Sequence, residues 1–172
     1  LLSALIILCC PVLLHSQVDS LRVELSKAKE DSVKLRLCLA IAAQLTNNNV
    51  DSTLVYADKA ELIARKMGSA KGVADAQYQR AYAVFYAGEG DSSLRLYNRL
   101  IKDYRSFGDS GNVASCYNKA GFIYREKGDR LEALKQYNLA LNANLDNVNI
   151  IEAANSYLNI GLIHHDQGNL TE

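Results

Sequence analysis

Tryptophan is absent from this sequence and proline occurs once, at Pro11. A chain of many short strands and tight turns needs more proline than that, so long helices are the expected elements. Neither sign of charge is in surplus, because 19 Lys and Arg balance 19 Asp and Glu. No run of Lys or Arg builds a basic stripe, which argues against a nucleic-acid partner and leaves the scattered charges as solvated helix faces. Histidine is scarce as well: His15 stands near the start, and His164 and His165 are adjacent. Neighbouring helical positions point about 100° apart and converge poorly on one ion, so no metal site is expected there. Gly88-x-Gly90 lacks the third glycine and the preceding strand of a dinucleotide cradle. Paired carboxylates in a supporting context are missing too. Neither a cofactor nor an enzymatic activity is expected.

What is present is 172 residues of which 49% are hydrophobic, enough for one domain or a short repeat array with a sizeable core. The chain opens on "LLSALIILCCPVLLHSQ", near-continuously apolar through Leu14. That stretch is short of the about 20 apolar residues of a membrane span and suits the apolar region of a secretory signal peptide. Residues 1–16 are therefore expected to be a leader cut after Ser16, leaving Gln17 first; a buried core helix is the alternative reading. No Met and no basic residues precede Leu1, so the leader is expected to lack its own beginning. The protein is expected to be exported, to a periplasmic or other extracytoplasmic space. Cys9 and Cys10 go with the leader, while Cys38 and Cys116 remain in a disulfide-permissive setting.

The rest of the chain repeats. Tyr117, Gly121, Tyr124 and Gly128 recur as Tyr157, Gly161, His164 and Gly168, a period of about 40 residues. Backwards, Tyr78 and Ala81 match Tyr117 and Ala120 at one residue short of that period. Ser93, Tyr97 and Leu100 match Ala133, Tyr137 and Ala140 at the full period. The one-residue slip is placed in the "AGEGD" turn. Ala57 and Ala60 continue the series one full period before Tyr97 and Leu100. A fixed period marks a solenoid. Tyr117, Ala120, Gly121 and Tyr124 have helical spacing, and Gly128-Asp129 supplies a left-handed stop followed by an N-cap, so each unit is read as two antiparallel helices. Small residues at Gly121 and Ala133 are expected to let those helices approach closely.

The run Tyr117-x-x-Ala-Gly-x-x-Tyr-x-x-x-Gly-Asp-x-x-x-Ala-Leu-x-x-Tyr-x-x-Ala-Leu141 resembles a tetratricopeptide repeat. The resemblance extends from about Asp31 to the end, with units longer than the family's about 34 residues and without the closing proline. It implies an all-α fold, an α-solenoid of antiparallel helix pairs forming a superhelix of 39–40-residue units. The expected division is a signal peptide at 1–16, an N-terminal helix at 17–30, units at 31–70, 71–110 and 111–149, and the first helix of a fourth unit at 150–172. Cys38 and Cys116 would lie on first helices two units apart. That is too far for a disulfide, so they are expected to stay unpaired.

"GDSGN", residues 108–112, spells the surroundings of a protease nucleophile. Like "GSAKG" at 68–72, however, it falls where one unit ends and the next begins, and the sequence offers no histidine base in support. Ser110 is read as a turn serine.

In tetratricopeptide-repeat arrays the first helices line a groove that takes a protein or peptide partner. On this resemblance the partner-binding groove comprises Asn118, Phe122 and Arg125, with Gln79, Ala83 and Tyr86 as equivalents one unit back and Leu158, Leu162 and His165 one unit on. The long units are also similar to those of the exported sensor regions of bacterial signalling proteins, such as membrane histidine kinases. That likeness implies a membrane attachment and an output domain beyond Glu172; a free-standing secreted adaptor is the alternative. Self-association through an unpaired last helix is expected as well, with Tyr157, Ile160, Gly161 and His164 as its apolar stripe.

Overall fold

The computed structural model describes residues 16–146 and 149–166. Most of the expected leader, and Gly168 of the repeat pattern, lie outside the described residues. Eight helices make up those residues: α1 at 16–27, α2 Asp31–Leu45, α3 Val50–Lys66, α4 Ala70–Tyr86, α5 Gly90–Ser106, α6 Ser110–Glu126, α7 Arg130–Asp146 and α8 Ile150–Asp166. No strand occurs among the described residues. Ser16 and Gln17, the expected cleavage pair, both belong to α1. No described helix is long and apolar enough to cross a membrane.

From α3 on, each helix is 17 residues long, and the starts fall evenly at Val50, Ala70, Gly90, Ser110, Arg130 and Ile150. The turns set this spacing. Gly68, Gly88, Gly108 and Gly128 have φ of 67°, 87°, 69° and 81°, a region that costs an L-residue about 1–2 kcal/mol. The residue after the glycine reaches back to satisfy an orphan carbonyl: Ser69 N–H to Ala64 O, Asp109 N–H to Tyr104 O and Asp129 N–H to Tyr124 O, each at 2.9 Å. The same residue caps the next helix. Asn49, Ser69, Asp109, Asp129 and Asn149 accept the N–H of Ser52, Gly72, Asn112, Glu132 and Glu152. One residue thus serves as C-cap donor and N-cap acceptor, and a very short turn suffices to reverse the chain. Glu89 forms no side-chain cap.

The chain divides into two compact units, residues 1–87 and 88–172. In the first, α3 packs on both α2 and α4. Its core is built mainly of alanine: Ala57, Ala60 and Ala64 from α3 and Ala74, Ala76, Ala81 and Ala83 from α4 are all buried, with Leu37, Cys38 and Ile41 from α2. Such small side chains bring the helix backbones close. A Cβ on Gly72 would lie 2.9 Å from Leu35 Cδ2. Lys66 at the end of α3 pairs at 2.8 Å with Asp31 at the start of α2, as antiparallel neighbours require.

In the second unit α6 packs on α5 and α7, and α7 on α8. Here tyrosine fills the core: Tyr97, Tyr104 and Tyr137 are fully buried with Leu100, Ile123 and Ile163. The expected close approach at Gly121 is present. A Cβ there would sit 2.8 Å from two ring carbons of Tyr137, so the bare backbone of α6 is the floor on which that ring lies. The Lys127–Asp91 ion pair ties the end of α6 to the start of α5. The fold is an all-α solenoid of antiparallel helix pairs.

Three details of the sequence reading change. The period is uniform, with no slip, since Ala74, Ala76, Ala81 and Ala83 are buried where Ala114, Cys116, Gly121 and Ile123 are buried. Tyr78 therefore corresponds to Asn118, and Gln77 to Tyr117. Gly72 and Gly111 are helical, and only Gly68 and Gly108 make the turn. Ser110 is the first residue of α6, while the turn itself ends at Asp109.

Cys38 and Cys116 are both free and buried. Burial pushes the Cys116 thiol far up, with a further push from Asp109, and burial raises Cys38 as well. Reaction with iodoacetamide needs the thiolate. Both should therefore alkylate on the order of 100-fold more slowly in native protein than in urea, because reaction awaits opening of the helices. Peptide mass spectrometry reads this directly; equal native and denatured rates would contradict the packing of α2 and α6.

Candidate functional site

The residues expected to line the groove lie on α4, α6 and α8. On α4 the uniform period places Tyr78, Tyr82 and Phe85 at the positions of Asn118, Phe122 and Arg125. Gln79, Ala83 and Tyr86 fall one residue later. The difference matters, because Ala83 is fully buried and belongs to the core. Gln79 is half-buried and Tyr86 is exposed beside the aromatic row. Tyr86 packs edge-on against Tyr82, with ring centroids 5.0 Å apart and hydroxyls 3.2 Å apart, and against Phe85 at 5.4 Å. Tyr86 thus braces Tyr82 and Phe85 on α4, so the three rings offer contact area with little rotamer freedom left to lose.

Charge between α3 and α4 is neutralised locally. Arg80 pairs with Asp58 and Glu61, and Glu61 also accepts from Arg65 and Gln77. Burial raises the Glu61 carboxyl, yet Arg65, Gln77 and Arg80 together outweigh it and hold the group below the usual carboxylate range.

In the second unit the guanidinium of Arg125 lies 5.1 Å from the centre of the Phe122 ring, and Arg125 pairs with Glu126 at 3.2 Å. Asn118 has a structural engagement that the sequence does not reveal. Its Oδ1 lies 3.2 Å from the Ser156 hydroxyl, which is 3.4 Å from Asn144 Nδ2 and 3.1 Å from Glu152 O. Ser156 accepts from Asn144 and has one proton, shared between Asn118 and the Glu152 carbonyl. Ser156 and Asn144 are buried, so this small network joins α6, α7 and α8 in one register. Further along α8, Leu158 and Leu162 are 63% and 41% exposed and His165 is exposed. The structure therefore places Phe122 and Arg125 together on α6 and Leu158, Leu162 and His165 on one face of α8. Asn118 marks where those helices meet.

A separate cavity of about 480 Å³ opens on another side of the second unit, lined by Arg105, Ser110, Tyr117, Asn142 and Asp146 among others. Arg105 donates to the Tyr117 hydroxyl at 2.6 Å. Ser110 lies here without a base, since both described histidines are on α8. Asp109 is engaged in capping α6, accepting from the Asn112 N–H at 3.0 Å and from its side-chain amide at 2.9 Å. No cluster of His, Cys, Asp and Glu among the described residues could hold a metal ion. His164 is half-buried at the Tyr124 position.

Comparison with known proteins agrees with this architecture. A family model described as tetratricopeptide repeat matches residues 72–146, the span from α4 to α7. The sequence matches none of the curated proteins. Among solved structures, the chain is similar to BtubC (BKLC) from P. vanneervenii, with TM-score 0.68 and 15% identity over 91% of this chain and 67% of that one. It is similar to a Rap protein complexed with Competence and Sporulation Factor, with TM-score 0.78 and 15% identity over 88% of this chain and 43% of the other. It is also similar to the apo form of RapI, with TM-score 0.67 and 16% identity over 91% of this chain and 45% of the other. The chain spans less than half the length of the two Rap structures, and at these identities the likeness is one of fold.

Proposed function

We propose that this chain is a non-catalytic scaffold that takes a protein or peptide segment on the first helices of its pairs. The observation that carries the proposal is the pre-ordered aromatic row on α4, in which Tyr86 makes ring contact with both Tyr82 and Phe85. Phe122 under Arg125 is its counterpart in the second unit. Rigid aromatic and Arg side chains are the residues that most often dominate binding energy. The Rap protein of similar fold was crystallised with Competence and Sporulation Factor, so this architecture can accommodate a partner. We further propose that the binding unit works outside the cytoplasm as the sensory part of a larger signalling protein. The apolar stretch 1–16 supports export, and the signalling role rests on the resemblance of the long units. A free-standing secreted adaptor would use the same face.

Selection of a random peptide library on the 172-residue protein tests the binding role. Selected peptides should lose affinity about tenfold or more on Tyr82→Ala or Phe122→Ala and be indifferent to Ser110→Ala. Peptides insensitive to both aromatic substitutions would place the partner elsewhere and defeat the proposal.

A further inference from the structure

The repeat supplies a comparison for Arg105, which lines the cavity of the second unit. One period earlier stands Arg65, whose Nε donates at 3.0 Å to Glu61, a carboxylate that also accepts from Gln77 of α4 at 3.4 Å. Donors from two neighbouring helices thus close on one carboxylate. A period on, Gln77 becomes Tyr117 and Glu61 becomes Ile101, which is buried in the core. The donors are repeated and the acceptor is not. Arg105 forms no ion pair among the described residues; it donates to the Tyr117 hydroxyl at 2.6 Å and lies 5.8 Å from the centre of that ring. A guanidinium holds its donors in a rigid fork suited to carboxylates, and this one bond leaves most of them unused. The Tyr117 hydroxyl, accepting from Arg105, keeps its own proton to donate.

Both groups line a cavity of about 480 Å³, within the usual range for small-molecule sites. Val113 and Leu139 add apolar surface, and Asp146 of α7 adds a carboxylate that does not pair with Arg105. The helices that form the cavity, α5, α6 and α7, each have a described helix before and after them. We propose that this cavity binds a small zwitterion, an α-amino acid or a short peptide, whose carboxylate takes the part that Glu61 plays in the first unit. Arg105 and Tyr117 hold the carboxylate, and Asp146 receives the ammonium group. Cation and anion line one cavity without pairing, so a ligand that carries both charges satisfies both, while a dianion would meet Asp146 unfavourably. Val113 and Leu139 favour an apolar side chain. The site is independent of the aromatic row on α4 and of any partner held there.

Titration of the isotope-labelled 172-residue protein with leucine and with glycyl-leucine tests this by NMR. At least one should bind with a Kd of about 1 mM or tighter and shift the amides of Ser110, Tyr117 and Asn142. The tighter of the two tells a free amino acid from a peptide as the source. The C-terminal amide of that ligand should bind about tenfold or more weakly, and so should the ligand itself to Arg105→Gln. Tyr117→Phe, which keeps the ring, should weaken binding several-fold. N-acetylation should weaken it too, but not in Asp146→Asn, where the ammonium has already lost its partner. Arg105 and Asp146 are exposed, so circular dichroism should be unchanged in their variants. Tyr82→Ala and Phe122→Ala should bind as wild type does, which separates this site from the peptide face. Absence of binding at ~10 mM of either ligand, equal affinity for acid and amide, indifference to Arg105→Gln, or shifts confined to α4 would overturn the proposal.

Discussion

Replacing Tyr137 with alanine should remove about 3–5 kcal/mol of stability, more than a domain of this size can readily lose. The side chain is fully buried, clustered with Ala133 and Ile163 and lying against the bare backbone of Gly121, so its removal leaves a cavity in a packed core. Tyr137→Phe should do the opposite of what loss of a polar group usually does. Among the described residues the buried Tyr137 hydroxyl has no hydrogen-bond partner, and burial raises its pKa above the ordinary phenol value. An unsatisfied buried hydroxyl costs roughly 1–3 kcal/mol, so phenylalanine should be neutral or up to about 1 kcal/mol more stable. Urea unfolding followed by circular dichroism at constant m-value separates the two. A Tyr137→Phe protein destabilised by about 2 kcal/mol or more would mean that the hydroxyl has a partner after all.

Gly121→Ala should destabilise by up to about 2 kcal/mol, although alanine is the better helix former. The propensity gain is about 1 kcal/mol, while a methyl 2.8 Å from the Tyr137 ring requires a shift that typically costs about 1–3 kcal/mol or more in a well-packed core. The ring cannot rotate away, because its own surroundings are buried. The sign should depend on residue 137. On a Tyr137→Ala background the ring is gone, and Gly121→Ala should become neutral or stabilising by up to about 1 kcal/mol. A double-mutant cycle measures that reversal, and additive effects would show that the contact is not what confines residue 121.

Much of this is legible in the sequence, and the reasons are local. Gly128-Asp129 announces a left-handed stop and a cap because few other residue pairs do both, and the structure has both. The small size of Gly121 signals close approach, though not that Tyr137 is what approaches. The one-residue slip arises from matching Tyr78 to Tyr117 by letter, and it displaces the proposed groove residues of α4 onto Gln79 and the buried Ala83. The even spacing of Gly68, Gly88, Gly108 and Gly128 removes it, since turn glycines are fixed by backbone geometry whereas packing aromatics can be exchanged. The apolar stripe of α8 is displaced in a similar way. Tyr157 and Gly161 face solvent, but Ile160 is packed against the cluster around Tyr137, and His164 is half-buried. Periodicity alone cannot say which of two adjacent arcs a neighbour covers. The Asn118–Ser156–Asn144 network cannot be read from sequence at all, because it exists only once three helices are assembled.

The short turns have a mechanical consequence. Within each unit nearly all contacts join helices consecutive in the chain, so a helix peeled from an end leaves the remaining contacts of its neighbours largely in place. Every detachment from α3 onward releases the same length of chain, about 20 residues or roughly 70 Å when extended at ~3.5 Å per residue. Under tension each unit should yield in small increments of equal length and re-form them one at a time, as a spring does, where a protein knit by distant contacts would give way at once.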